Sequence, residues 1–405
     1  MHHNPRAMSE PSTLPRMPGM PLAITGMGCV SAAGRGLAAQ RYALEAGLDG
    51  LKSVPLASQP IARNVPVGMV TATLPPLQSR TQALALCAAR EAFQQAGLTP
   101  AQASAFGIVV GSCTGGMPES EAFFLNHSQT DVSPIYCRQH PHRTTQMLAH
   151  LLGVHGPQST HALACASAAA AIIEAMELVR SGACPGAIAV GSDALTRVTL
   201  AGFTSLMLVD PKGCRPLTNE RAGMSLGEGA AALIIEDPTH ARRRGATPLA
   251  SVLGWGQYAD AFHLTSPEPT GNQLARAIND CLTDGNIAHS EVGYVNAHGT
   301  GTRDNDQVES LVLSRLFGAI PTASTKRNFG HTMGAAAAIE AVASCLALID
   351  QKIWASAGAN NETPVSGIEV LQQTRAATPN VVLSTTLAFG GVNACLAFGR
   401  GERCA

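Results

Sequence analysis

The chain is poor in charge and has no excess of either sign: charged residues make up 14% of its 405 positions, 27 basic against 28 acidic. That balance excludes bulk attraction to nucleic acid or to acidic membranes, so an acidic partner must be met by a local patch. Eleven cysteines are present, yet none stands in a CxxC or mixed Cys/His ligand spacing. This argues against a structural metal and for reduced thiols in a cytosolic setting. No run of about 18 uninterrupted apolar residues is available to span a bilayer. The first twenty residues, MHHNPRAMSEPSTLPRMPGM, lack the apolar segment of a secretory leader and are expected to be a loose tail.

What is abundant is apolar surface to bury. At 45% hydrophobic over 405 residues, the chain can build a large core and exceeds one ordinary domain. Two stretches, FGIVVGSCTGG (106–116) and VGYVNAHGTGT (292–302), each set an apolar strand before a Gly-rich polar loop. Two more, THALACASAAAAIIEAMELVRSG (160–182) and TKRNFGHTMGAAAAIEAVASCLALI (325–349), each put a reactive residue ahead of an Ala-rich helical run, Cys165 in the first and His331 in the second. Each run is followed by a further apolar strand, at 186–194 and 380–391. The pattern predicts an internal duplication of a βαβ-rich unit, with mixed sheets covered by helices. The divide is expected near 240–250, giving an N-terminal half over 21–245 and a C-terminal half over 246–405.

Small side chains let a helix lie close against its neighbours, so the two Ala-rich helices are predicted to sit at the centre of the molecule. A buried helix start carries unsatisfied N–H groups and partial positive charge, which would favour a thiolate at Cys165. Cys87, Cys281 and Cys345, inside helical runs, read as core residues. His298 and His331 stand in similar settings, and repeat symmetry would bring both loops to Cys165. A Cys/His/His site follows, with Lys326 five residues before His331.

ACASAA around Cys165, NAHGTGTRDND around His298, STKRNFGHTMGAAAA around Lys326 and His331, and TTLAFGGVNA (385–394) resemble, in order, the motifs of the β-ketoacyl-acyl-carrier-protein synthases. The resemblance extends to RPLTNERAGMSLGEGAAALIIE (215–236) and covers residues 21 to 400. It implies an α/β fold, the duplicated thiolase-like αβαβα sandwich with two mixed five-stranded sheets. It also implies a decarboxylating condensation of an acyl chain with malonyl carrier protein. Cys165 would carry the acyl chain, and the N–H groups of Cys165 and Phe389 would form an oxyanion hole beside the Gly390-Gly391 turn. His298 and His331 would hold the malonyl-derived enolate. Lys326 would hold an acidic group with Glu309 and orient the histidine loops, with Asp306 and Glu340 behind the site. Thr300 and Thr302 would bind the pantetheine arm, with Phe203 also against substrate, and Thr114 would line the end of the acyl channel.

No cofactor or metal is implied beyond the phosphopantetheine of acyl carrier protein. The expected partners are that carrier and a second subunit, in a homodimer or a heterodimer with a chain-length-factor-like chain. Candidate basic contacts for the carrier are RQHPHR (138–143), Arg63 and Arg242-Arg243-Arg244. Leu217-Thr218 and RAGMS (221–225) depart from the fatty-acid pattern, leaving fatty-acid and polyketide or polyene pathways both open. A non-catalytic chain-length-factor-like subunit and a thiolase acting on CoA thioesters are the alternatives. The first usually lacks the nucleophilic cysteine, and the second carries a Cys-Gly-Gly where this chain has Phe389-Gly390-Gly391.

Overall fold

A computed structural model describes residues 19–55, 64–77, 79–126, 139–359 and 362–404. In the first half, β1 (Leu22–Ser31), α1 (Arg80–Gln95), β2 (Gly107–Gly111), α2 (His142–Leu152), β3 (Gln158–His161), α3 (Ser167–Arg180), β4 (Gly186–Asp193) and β5 (Gly229–Glu236) follow one another. The second half runs β6 (Ala250–Ala259), α4 (Asn272–Asp284), β7 (Val292–Asn296), α5 (Arg303–Phe317), β8 (Pro321–Ala323), α6 (Lys326–Phe329), α7 (Ala336–Asp350), β9 (Glu369–Val370), β10 (Val381–Leu387) and β11 (Val392–Arg400).

The strands pair in the order β3-β2-β4-β5-β1 in one half and β8-β7-β10-β11-β6 in the other. Each set has the same sequence of ladders: its first strand antiparallel to its last, then one more antiparallel and two parallel pairings. The predicted duplication is therefore visible strand by strand. The two sets are not separate sheets, however. β1 and β6 meet antiparallel through three residue pairs, Leu22 with Val252, Ala23 with Ser251 and Ile24 with Ala250. With β9 added at the far edge and Gly34–Arg35 beside β1, they form one 12-stranded ladder.

Layering follows from the period-two alternation of the strands. Ile108 and Val110 of β2 face outward with Ile188 and Val190 of β4 against Leu84 and Ala85 of α1. Val109, Ala187 and Ala189 point the other way, into a cluster with Ala168, Ala171 and Ile172 of α3 and Ala337, Ala338 and Ala341 of α7. Val382 and Phe398 close that cluster from the second half, whereas Leu383 and Ala397 turn outward to Leu274 and Ile278 of α4 and Val308 of α5. Strands buried on both faces read as near-continuous apolar runs, and here they do.

The Ala-rich helices occupy the centre, as predicted. The segment Met333–Asp350, which contains α7, is the one helix among the described residues long and apolar enough to cross a membrane, with mean hydropathy 1.6 over 18 residues. It is 89% buried inside the protein. Its apolarity is that of a central core helix.

Candidate active site

Cys165 sits in a tight turn, Ala164–Ala166, that opens directly into α3. Ala164 adopts φ 47, a left-handed conformation rare for a residue with a Cβ. Its carbonyl accepts from Ser167 Oγ at 2.7 Å and from Cys113 Sγ at 2.8 Å, so neighbouring side chains hold the strained turn. The outcome is a sulfur presented to a cleft of about 480 Å³, lined among others by Phe203, His298, Thr300, His331 and Phe389.

His331 arrives by a different route. Its backbone is clamped to the segment before β5: its N–H donates to the Ser225 carbonyl at 2.7 Å, and the Gly227 N–H donates to its own carbonyl at 2.9 Å. Its Nε2 lies 3.1 Å from Cys165 Sγ, while its Nδ1 accepts from the Met333 N–H at 3.3 Å. His298 follows β7, and its ring meets that of His331 edge to face, with centroids 5.2 Å apart. Lys326 Nζ lies 3.2 Å from His298 Nδ1 and also donates to the His298 carbonyl. An ammonium has only donors, so His298 Nδ1 must accept, and the proton of the neutral ring is on Nε2. His298 Nε2 is buried with no hydrogen-bond partner among the described residues. Both rings thus offer an Nε2–H to the cleft.

Electrostatics keep them neutral. Burial, reinforced by the Lys326 charge, holds both imidazoles well below the ordinary histidine range. The same burial acts on Cys165 in the opposite sense and pushes its thiol up to about 11, although Lys326 and a hydrogen bond from the Phe389 N–H pull it down. Burial thus works against the expected thiolate and favours the thiol form.

The polar residues behind the site are sorted differently from the expectation. Lys326, 2% exposed, pairs with Glu340 on α7 rather than with Glu309. Glu309 instead accepts from the backbone N–H groups of His298 and Gly299, both at 2.8 Å, and from Thr385 Oγ1 at 2.6 Å. Burial raises its carboxyl to about 7. Asp306 takes the Leu217 N–H at 2.7 Å and the Gly301 N–H at 3.2 Å, tying the loop after "RP" to the loop that carries His298.

Thr300 and Thr302 line the cleft with their hydroxyls 2.9 Å apart, and the Phe203 and Phe389 rings lie 5.5 Å apart at its wall. Gly391 reaches the cleft. Gly390 does not line it; its N–H is taken by the Leu264 carbonyl at 2.8 Å. Thr114 lines a separate cavity of about 340 Å³ with Cys113, Met117 and His140, and its hydroxyl donates to Asp193 at 2.8 Å. Among the basic stretches, Arg244 is spent internally: Nε donates to Glu236 at 2.8 Å and Nη1 to the Ala96 carbonyl at 2.7 Å. Arg63 and Arg138 lie outside the described residues.

Two features escaped the sequence reading. Asp193 gathers five donors beside the site, and its one signal was a lone acid ending the apolar strand AIAVGSDA. Asn393, whose Nδ2 donates to Asp260 at 2.7 Å on the cleft wall, carried no separate signal. The ligand atoms of Cys165, His298 and His331 lie within 4.8 Å of one another, a set that a soft cation could accept. The Lys326 ammonium against His298 places a positive charge where that cation would need a negative one.

The arrangement is that of an acyl-transfer site: a sulfur, a backbone N–H aimed at it, and two neutral N–H donors opposite. Family models described as "Beta-ketoacyl synthase, N-terminal domain" and "Beta-ketoacyl synthase, C-terminal domain" match residues 20–241 and 249–360. The chain is 36% identical over 330 residues to Nodulation protein E of Rhizobium meliloti, covering 79% of this chain and 82% of that protein. It is 33% identical over 338 residues to 3-oxoacyl-[acyl-carrier-protein] synthase 2 of Staphylococcus aureus, covering 78% and 81%. A solved structure of a ketosynthase in complex with its chain length factor, from Xenorhabdus doucetiae, superposes with a TM-score of 0.86 at 29% identity, over 97% of this chain and 100% of that one. Sequence, fold and site geometry agree that the chain belongs to the β-ketoacyl synthase family of condensing enzymes.

Proposed function

We propose that this protein is a 3-oxoacyl-[acyl-carrier-protein] synthase that extends an acyl chain by two carbons from malonyl carrier protein, in fatty-acid or polyketide elongation. The observation that carries the proposal is the convergence of two neutral imidazoles, each with its Nδ1 occupied by a donor, on the sulfur of Cys165.

Cys165 Sγ attacks the thioester carbonyl of acyl carrier protein, and the Phe389 and Cys165 N–H groups donate to the developing oxyanion. The carrier thiol leaves with the proton that the Cys165 thiol gives up. Malonyl carrier protein then enters with Thr300 and Thr302 along its pantetheine arm. As carbon dioxide departs, the Nε2–H groups of His298 and His331 hold the enolate oxygen. The enolate carbon attacks the acyl-Cys165 thioester; the C–S bond breaks, and the sulfur takes back one proton from solvent. Lys326 fixes the His298 tautomer, while Glu309 and Asp306 fix the loop that carries it. No cofactor other than the carriers' own phosphopantetheine takes part. The partner subunit is a chain-length-factor-like chain, as in the matched ketosynthase complex, or a second copy.

The test is incubation with acyl and malonyl carrier proteins, followed by mass spectrometry of Cys165 and of the carrier. Acylated Cys165 and a 3-oxoacyl product are expected. A protein that folds yet never acylates Cys165 with any acyl carrier overturns the proposal.

A further inference from the structure

Asp193 ends β4 fully buried, and no Lys, Arg or His among the described residues pairs with it. Its charge is held by neutral donors alone. Oδ1 accepts from Ser112 Oγ at 2.7 Å, the Thr114 N–H at 2.9 Å and Thr114 Oγ1 at 2.8 Å. The Cys113 N–H lies 3.0 Å from both oxygens, and Oδ2 accepts from the Gly334 N–H at 2.7 Å. A buried carboxylate in such a network costs stability unless every lone pair is used, so its donors are held tightly in place.

Those donors belong to two different halves. On one side, Asp193 fixes Cys113, whose Sγ–H reaches the carbonyl of Ala164, the strained residue just before Cys165. On the other side it fixes Gly334, next to Met333, which is left-handed at φ 49 and gives its N–H to His331 Nδ1. A side chain at Gly334 would press on this network: a Cβ there would stand 2.6 Å from Asp193 Oδ2 and 2.8 Å from the Cys113 nitrogen.

We propose that Asp193 is a positioning residue that sets the Cys165 sulfur and the His331 ring against each other across the two halves. The proposal rests on the function assigned above and adds a residue to it. Asp193→Asn offers one acceptor oxygen and turns an NH₂ toward N–H donors, so both turns should relax while the core stays folded. The expected result is a kcat loss on the order of tenfold to a hundredfold in both half-reactions, Cys165 acylation and malonyl decarboxylation, as misplacement by fractions of an ångström produces. KM for each carrier should change by less than about twofold. A merely structural role would lower the unfolding midpoint and leave these ratios alone.

Alkylation of Cys165 by iodoacetamide needs no carrier and should change by about threefold or more in Asp193→Asn. If that variant fails to fold, Gly334→Ala takes its place, since its methyl displaces the same carboxylate, and the same paired loss is expected. A folded variant with both half-reactions and the alkylation rate within about twofold of the parent overturns the proposal. If the parent itself shows neither half-reaction, the functional assignment has failed instead. The alkylation arm then decides the role of Asp193 by itself.

Discussion

The turns that open the two central helices share a backbone and differ in what they face. Ala164-Cys165-Ala166 leads into α3 and Met333-Gly334-Ala335 leads into α7; each is a tight turn whose first residue is left-handed, at φ 47 and φ 49. In the first, the middle residue is a cysteine beside an open cleft. In the second it is a glycine whose N–H already serves the Asp193 carboxylate. One copy of the motif borders the cleft, and the other meets an internal carboxylate. The link into the helix differs too: two residues (162–163) separate β3 from the first turn, but nine (324–332) separate β8 from the second. The longer link carries Lys326 and His331. Duplication supplied the frame, and in the function proposed above the unequal links divide nucleophile from enolate binding.

The sharpest way to break that division is to remove the nucleophile alone. Cys165→Gln should lower condensation by about 10⁴-fold or more while malonyl decarboxylation persists, because Gln fills the volume of an acylated thiol and leaves both imidazoles in place. Carbon dioxide release measured beside product formation checks this; parallel loss of both would show that the turns do not divide the work.

Next in size, Lys326→Met strands the buried Glu340 carboxylate and should cost about 3–5 kcal/mol in a denaturant titration. The double variant Lys326→Met with Glu340→Met should recover most of that loss. An undiminished midpoint in the single variant would mean the pair does not anchor the longer link.

His298→Ala removes one donor from the enolate oxygen and should slow decarboxylation by about 10²–10³-fold, with acylation of Cys165 far less affected. Radiolabel transfer from acyl carrier protein separates the two steps.

The last effect, about tenfold per step, concerns pH. The folded thiol of Cys165 sits near 11, above the ordinary cysteine range, so the thiolate is scarce at neutral pH and grows as pH rises. Its alkylation rate should climb about tenfold per pH unit from 7 to 9.5 without levelling off. A plateau near pH 8 would show that the helix start, not burial, governs the sulfur.

The duplication, the central helices and the Cys/His/His set were legible because each rests on local pattern: period-two apolar runs, alanine-dense helices and reactive residues at repeated offsets. The partner of Lys326 was not. Glu309 and Glu340 are both acids in helical runs, and only the packing of α7 against β7 decides which one the ammonium meets. The joined sheets were equally hidden, since β1 meets β6 through three residue pairs only, too few to leave a mark on composition. Asp193 lay in plain view at the end of a strand. Its five donors come from segments up to 141 positions away, however, and no spacing rule connects them.

Gly191 of β4 sits where both central helices touch the sheet: a Cβ there would meet those of Ala168 and Ala338 at 2.7 and 2.8 Å. Glycine and alanine have no side-chain rotamers to lose, so ordering this part of the chain carries little of the side-chain entropy cost that leucine or methionine would impose. It also leaves few alternative packings to sample once folded. The spacing between sulfur and imidazoles is thus insulated from rotamer exchange beneath it, and the rotamer-rich side chains near the site, such as Leu206, Met207 and Met224, lie on the cleft wall.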